Sequence, residues 1–133
     1  MAHSNQCGAQ KAVDKAEFDR PWGVAFDSTG DVYVTDLRNN RIQKFDNNGK
    51  FLDEWGKEGN GPGEFIHLHA IAIDPSDNIY LSDAREHSSM DSLMPQDIAI
   101  DRYDNIFISD IGDAHPVTCI IIMIIKNRGF FVI

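Results

Sequence analysis

Two histidines placed two positions apart, His67 and His69, are the residues whose types and spacing most directly suggest chemistry. Residues i and i+2 of a β-strand point to the same face, so both imidazoles can approach one metal ion. Zinc sites in proteins use three or four ligands, and the sequence offers no evident third one. Two interpretations stay open, a weak metal site at His67 and His69 or a pair of ordinary surface or loop histidines.

Carboxylates recur at regular spacing, which is a second pattern that could surround a cation. Each of three pairs has its members nine positions apart, and the pairs are Asp27 and Asp36, Asp74 and Asp83, and Asp101 and Asp110. The first member opens a polar turn, for which Asp is a favoured residue. The second member ends a strand, where a carboxylate can accept hydrogen bonds from loop amides. We therefore expect these aspartates to serve the fold.

The aspartates belong to a phrase that occurs three times, at residues 24–36, 71–83 and 98–110. In each copy an apolar strand, a polar turn and an aromatic-containing strand follow one another. After the first copy, residues 41–45 alternate between polar and apolar side chains, a turn follows, and residues 51–55 give a fourth strand. Four short antiparallel strands, apolar first and polar last, predict one blade of a β-propeller.

The first unit also resembles an NHL repeat, in the phrases Arg20–Asp27, Val32–Asp36, Asn40–Phe45, Gly49–Phe51 and Trp55–Gly56. The second and third copies match the first half of that pattern, so the resemblance covers the chain from about Phe18 to Asp110. It implies a β-propeller, usually six-bladed. The predicted fold is therefore all-β, with NHL-type blades of four antiparallel strands.

The spacing of the copies predicts an incomplete, open propeller. Asp27 and Asp74 are 47 positions apart, whereas Asp74 and Asp101 are only 27 apart, so the outer half of the second blade is missing from that interval. We predict four units: residues 1–17, a remnant of a preceding blade or a disordered head; 18–64, a complete blade; 65–93, a truncated blade; and 94–133, a third, distorted blade. Two or three blades cannot close a ring, which predicts a fragment of a larger propeller, a degenerate product or an open array.

The apolar tail suggests self-association. Residues 121–125 and 130–132 take the place of the outer strands of the third blade. Ile120–Ile125 would then form an exposed apolar edge strand that can pair with another chain. Six apolar residues are too few to span a bilayer, which needs about 20. Residues 1–11 contain no apolar stretch, so neither a signal peptide nor a transmembrane helix is visible and the compartment stays open.

A second resemblance concerns peptidyl-hydroxyglycine lyases, six-bladed propellers of NHL-like repeats with a histidine-ligated zinc. In those enzymes a Pro-His pair precedes the first strand of certain blades. His69 stands at that place in the second copy and so resembles one zinc ligand, while Gln96 in the third copy and Trp22 in the first stand where a histidine would be. The resemblance implies, as the alternative function, a remnant of an amidating-lyase-like zinc enzyme.

The leading prediction is a non-catalytic binding scaffold without a cofactor. The formal net charge of −9, from 21 acidic and 12 basic side chains, disfavours nucleic acid. The sequence carries no serine nucleophile motif or phosphate-cradling loop. Residues just before each first strand line the mouth of such a ring, which makes Trp22, His69 and Gln96 the candidate contacts for a protein or small ligand. The alternative is that these three only pack the blade ends.

Overall fold

The computed structural model describes residues 17–84, 95–110, 119–125 and 129–132. In these ranges the chain forms strands and turns, and none of the described residues is helical. Accordingly, no described segment is a helix of the length and apolarity needed to cross a membrane. The strands are β1 (Pro21–Phe26), β2 (Val32–Asp36), β3 (Arg41–Phe45), β4 (Phe51–Trp55), β5 (Lys57–Glu58), β6 (Glu64–Phe65), β7 (Leu68–Ile73), β8 (Ile79–Ala84), β9 (Pro95–Ile100), β10 (Ile106–Asp110), β11 (Cys119–Ile125) and β12 (Gly129–Val132).

The first blade is a four-stranded antiparallel sheet in the order β1-β2-β3-β4, as the repeat predicts. Its tight turns depend on glycines with positive φ, which is 85° at Gly30 and 86° at Gly49. The N–H of Gly30 donates to the carbonyl of Asp27 at 3.0 Å and closes the β1–β2 turn. A side chain at either position would be strained, because L-residues rarely adopt this region.

The second four-stranded sheet has the order β12-β11-β8-β7. β11 pairs antiparallel with β8 on one side and with β12 on the other. The tail strands therefore extend the second repeat, whereas the sequence had placed residues 121–125 and 130–132 in the third. Ile120–Ile125 is an interior strand of this sheet and not the expected exposed edge. The physical reason is that β8 presents a row of main-chain N–H and C=O groups, which β11 satisfies.

The third copy forms a separate two-stranded sheet, β9 with β10. It lies against β7, because Ala70 and Ala72 of β7 pack on Ile98 and Ile100 of β9. The described sheets thus follow one another as an arc of blades and do not close into a ring, in agreement with the predicted open propeller. The predicted division into units 1–17, 18–64, 65–93 and 94–133 stays a prediction.

The main core lies between the first two blades. Tyr33 of β2 packs there on the apolar face of the second blade, which presents Leu68, Ile71, Ile79 and Leu81. Burying a large apolar side chain contributes about 1.5–3 kcal/mol, so this layer is the chief source of adhesion between the blades. The hydroxyl of Thr35 adds a polar link across the same layer. It accepts a hydrogen bond from the N–H of Gly23 at 2.7 Å and donates one to the carbonyl of His69 at 2.6 Å.

The connection between these two blades is held by a close contact at Gly56. Gly56 has a φ of 108°, and a Cβ built there would lie 2.7 Å from the ring of Phe65 and 2.6 Å from the carbonyl of Asn40. Phe65 is itself fully buried at the end of the short parallel pair β5–β6. The glycine-rich residues 56–63 therefore form a closely packed linker between the two blades.

Candidate functional site

The carboxylates of the repeated turn aspartates accept hydrogen bonds from within their own turns. In Asp27, Asp74 and Asp101, one carboxylate oxygen accepts hydrogen bonds from the main-chain N–H groups two and four residues later, at 2.8–3.0 Å. The side chain of Asn105 donates to Asp101 at 2.8 Å and, with the turn amides, lowers the pKa of that carboxyl. This geometry supports the structural interpretation of these aspartates.

The second aspartate of a pair anchors the segment that enters its blade. Asp36, fully buried, accepts hydrogen bonds from the N–H of Asp19 at 2.8 Å and from Nε of Arg41 at 3.0 Å. Asp83 does the same for the second blade, because it accepts from the N–H groups of Ile66 at 3.0 Å and His67 at 2.7 Å. Each carboxylate therefore fixes the residues that lead into a first strand, and the candidate contacts Trp22 and His69 lie near the start of those strands.

Trp22 and His69 lie together at the entry ends of adjacent first strands. Their ring centroids are 5.3 Å apart with an interplanar angle of 83°, an edge-to-face arrangement. Trp22 is 45% exposed, whereas His69 is only 3% exposed. Gln96 holds the corresponding position in β9, and its side chain lies outside the described part of the structure. Two of the three predicted mouth residues are thus in contact.

The His69 ring is held in one orientation. Its Nδ1 lies 2.9 Å from the carbonyl oxygen of His67, so Nδ1 carries the proton and donates it, which leaves Nε2 as the acceptor nitrogen. Burial lowers the pKa of His69 below its usual value of 6.5, and the ring is therefore neutral at pH 7. The carbonyl of the same residue is fixed by Thr35.

The metal interpretation of His67 and His69 concerns two residues with different surroundings in the structure. His67 is exposed and precedes β7, which begins at Leu68, and a bulge interrupts the strand register between Leu68 and Ile71. Within the described ranges no group of three or more His, Cys, Asp or Glu side chains is arranged to hold a metal ion. A zinc site that includes His69 would therefore need ligands from outside the described ranges.

A cavity at the opposite end of the first strands was not predicted. It has a volume of about 370 Å³ and is lined by equivalent residues of the three copies, namely the apolar set Phe26, Ile73 and Ile100 and the turn set Asp27, Asp74 and Asp101. The three copies thus converge around a common axis, as blades of a propeller do. The signal was present in the sequence, since each set occupies one register of the repeated phrase.

Comparison with known proteins agrees with this architecture. A sequence profile described as a 6-bladed beta-propeller matches residues 14–90. The chain is 40% identical over 72 residues to peptidyl-glycine alpha-amidating monooxygenase of Mus musculus, covering 50% of this chain and 7% of that protein. It is 33% identical over 61 residues to protein brain tumor of Drosophila melanogaster, covering 46% of this chain and 6% of that protein.

A third relative carries the NHL name. NHL repeat-containing protein 3 of Homo sapiens is 28% identical over 75 residues, which cover 54% of this chain and 22% of that protein. The chain therefore spans less than a quarter of the length of each of these relatives. The resemblance to NHL repeats is confirmed, and the profile match covers more than half of the sequence. The chain belongs to the 6-bladed beta-propeller family.

Proposed function

We propose that this propeller chain is a non-catalytic binding scaffold whose contact surface is the mouth formed by Trp22 and His69, with Gln96 as the third member. The observation that carries the proposal is the edge-to-face contact between an exposed Trp22 and a buried His69, with centroids 5.3 Å apart. The occupant is a protein segment or a small molecule with an apolar group and a hydrogen-bond donor.

The two side chains supply complementary contacts. The Trp22 indole offers a large apolar surface with few rotatable bonds, which is the property that makes tryptophan a frequent hot spot at interfaces. The neutral His69 ring is almost wholly buried and supports the indole from below, and its acceptor nitrogen is Nε2, because the other nitrogen is engaged by the carbonyl of His67. An apolar contact beside a directional acceptor is the usual composition of a ligand site.

Pre-organisation favours binding at this surface. His69 is fixed at both its ring and its carbonyl, and Thr35 ties the carbonyl to the first blade. When the side chains of a site are already ordered, less conformational entropy is lost on binding. The acidic balance of the chain, with a net charge of −9, further favours neutral or basic ligands over acidic ones.

A selection from a displayed random-peptide library tests the proposal. The probe peptides are those recovered on the wild-type chain, and their affinities are then measured for Trp22→Ala and for the control Leu52→Ala, which removes an exposed apolar side chain from β4. We expect Trp22→Ala to weaken binding at least about tenfold and Leu52→Ala to leave it unchanged. Equal binding by both variants would overturn the proposal, and failure to recover any peptide would exclude a protein segment as the occupant.

A remnant of an amidating-lyase-like zinc enzyme is the second candidate, favoured by the 40% identity over 72 residues to an amidating monooxygenase. It requires His69 to bind zinc with ligands outside the described residues. The measurement is the zinc content of the purified chain after zinc loading and desalting. One zinc per chain, lost in His69→Ala and kept in His67→Ala, would favour the lyase-like origin, whereas no retained zinc is expected of the scaffold.

A further inference from the structure

Among the residues that the structure describes, the arc of blades has an exposed apolar face at each end. The head face consists of Val24 and Phe26 of β1, which pair with Val34 and Val32 of β2 on the side away from the second blade. The tail face consists of Ala99 of β9 and Phe107 of β10, which are direct cross-strand partners. The tail face points away from β7, because the alternate residues Ile98 and Ile100 are the ones that pack on that strand.

The residues of these two faces hold the same positions of the repeated phrase as residues that are buried inside the molecule. Val24 corresponds to Ile71 in the repeated phrase, yet Val24 is 56% exposed and Ile71 is 5% exposed. Phe107 corresponds to Tyr33, yet Phe107 is 58% exposed and Tyr33 is 2% exposed. Ile71 and Tyr33 belong to one cluster and join the first blade to the second. The tail and head faces are therefore the two halves of that same interface.

We propose that a second copy of this chain docks its tail face on the head face of the first, in the manner of the internal contact between Tyr33 and Ile71. Phe107 of one copy then packs on Val24 of the other, and the contact is head-to-tail, not symmetric about one patch. Each chain has three first-strand phrases, so two copies bring six together, the blade number of the family. Two such contacts would close the assembly and cover both of the described faces.

Light scattering coupled to size-exclusion chromatography of the full chain tests this inference across a wide concentration range. We expect twice the monomer mass with no further growth as concentration rises. Val24→Asp and Phe107→Asp should each raise the dimer dissociation constant about 100-fold or more, because each substitution places a charge in both contacts. Leu52→Asp, a charge on an exposed residue of β4 outside both faces, should leave the dimer intact. Circular dichroism checks that all three variants fold.

Mixing the two interface variants distinguishes the head-to-tail contact from other modes of dimerisation. In a mixed dimer both substitutions fall in one contact and the other contact is wild type, so an equimolar mixture of Val24→Asp and Phe107→Asp should dimerise more strongly than either variant alone. A wild-type monomer at every concentration, a mass that keeps growing, a mixture no better than its components, or a Phe107→Asp dimer as stable as wild type would each overturn the proposal.

Discussion

Replacing Thr35 by valine should destabilise the chain substantially, because one hydroxyl joins the first two blades. Thr35 is fully buried and its Oγ1 accepts from the N–H of Gly23 at 2.7 Å and donates to the carbonyl of His69 at 2.6 Å. Valine has the same shape, so the substitution opens no cavity and leaves two polar groups without their partner. Each such loss costs about 1–3 kcal/mol, which gives about 3 kcal/mol for the pair when the partly accessible Gly23 is counted at the low end.

Urea unfolding followed by circular dichroism measures this loss, with Thr35→Ser as the matched control. Serine keeps the hydroxyl and removes one methyl group, so its cost should be about 1 kcal/mol. The difference of about 2 kcal/mol between the variants is large beside a typical domain stability of about 5–15 kcal/mol. If Thr35→Val were as stable as Thr35→Ser, the hydroxyl would not link the blades and the reasoning would be refuted.

Three further predictions concern titration and close packing. Burial lowers the pKa of His69, so the unfolded chain binds a proton more readily than the folded one, and the free energy of unfolding should fall as pH decreases from about 7.5 through the unfolded pKa of 6.5. In urea titrations at several pH values, His69→Gln should show a smaller decrease of this free energy. An equal decrease in the variant would contradict the assignment to His69. Asn105→Ala should raise the pKa of Asp101 toward 3.8, measured by NMR titration of the carboxyl, because it removes the main donor; an unchanged pKa would exclude that cause. Gly56→Ala should cost more than the roughly 1 kcal/mol strain of a positive φ, since its Cβ would lie 2.6 Å from the carbonyl of Asn40; near-wild-type unfolding would contradict this contact.

The sequence predicted the first blade well because its signals are local. The Asp46–Gly49 turn and the alternation of residues 41–45 lie within a few positions of the strands they define, and the observed strands β2, β3 and β4 closely match those expected. The turn aspartates were predictable for the same reason, since each carboxylate bonds to N–H groups two and four residues away.

The pairing of the tail could not be predicted in this way. Ile122 lies opposite Leu81, a contact between residues far apart in the chain, and an all-apolar strand such as β11 carries no alternation that would select its partner. Similarly, the histidine pair was expected to share a strand face, but β7 begins after His67 and its bulge changes the register. The repeat placed Trp22 and His69 at equivalent positions of two copies. Their edge-to-face contact depends on packing between the blades, which the repeat does not describe.

An NMR measurement of contacts from the two tryptophans tests most directly whether stacked blades build the mouth. Trp55 stacks on Tyr33 with a centroid distance of 6.0 Å and an interplanar angle of 11°, and it serves as an internal reference for the first blade. We predict nuclear Overhauser effects from Trp55 to Tyr33 and also from the Trp22 indole to the His69 imidazole. The reference contact without the Trp22–His69 contact would show a folded first blade without the mouth, and would contradict the account.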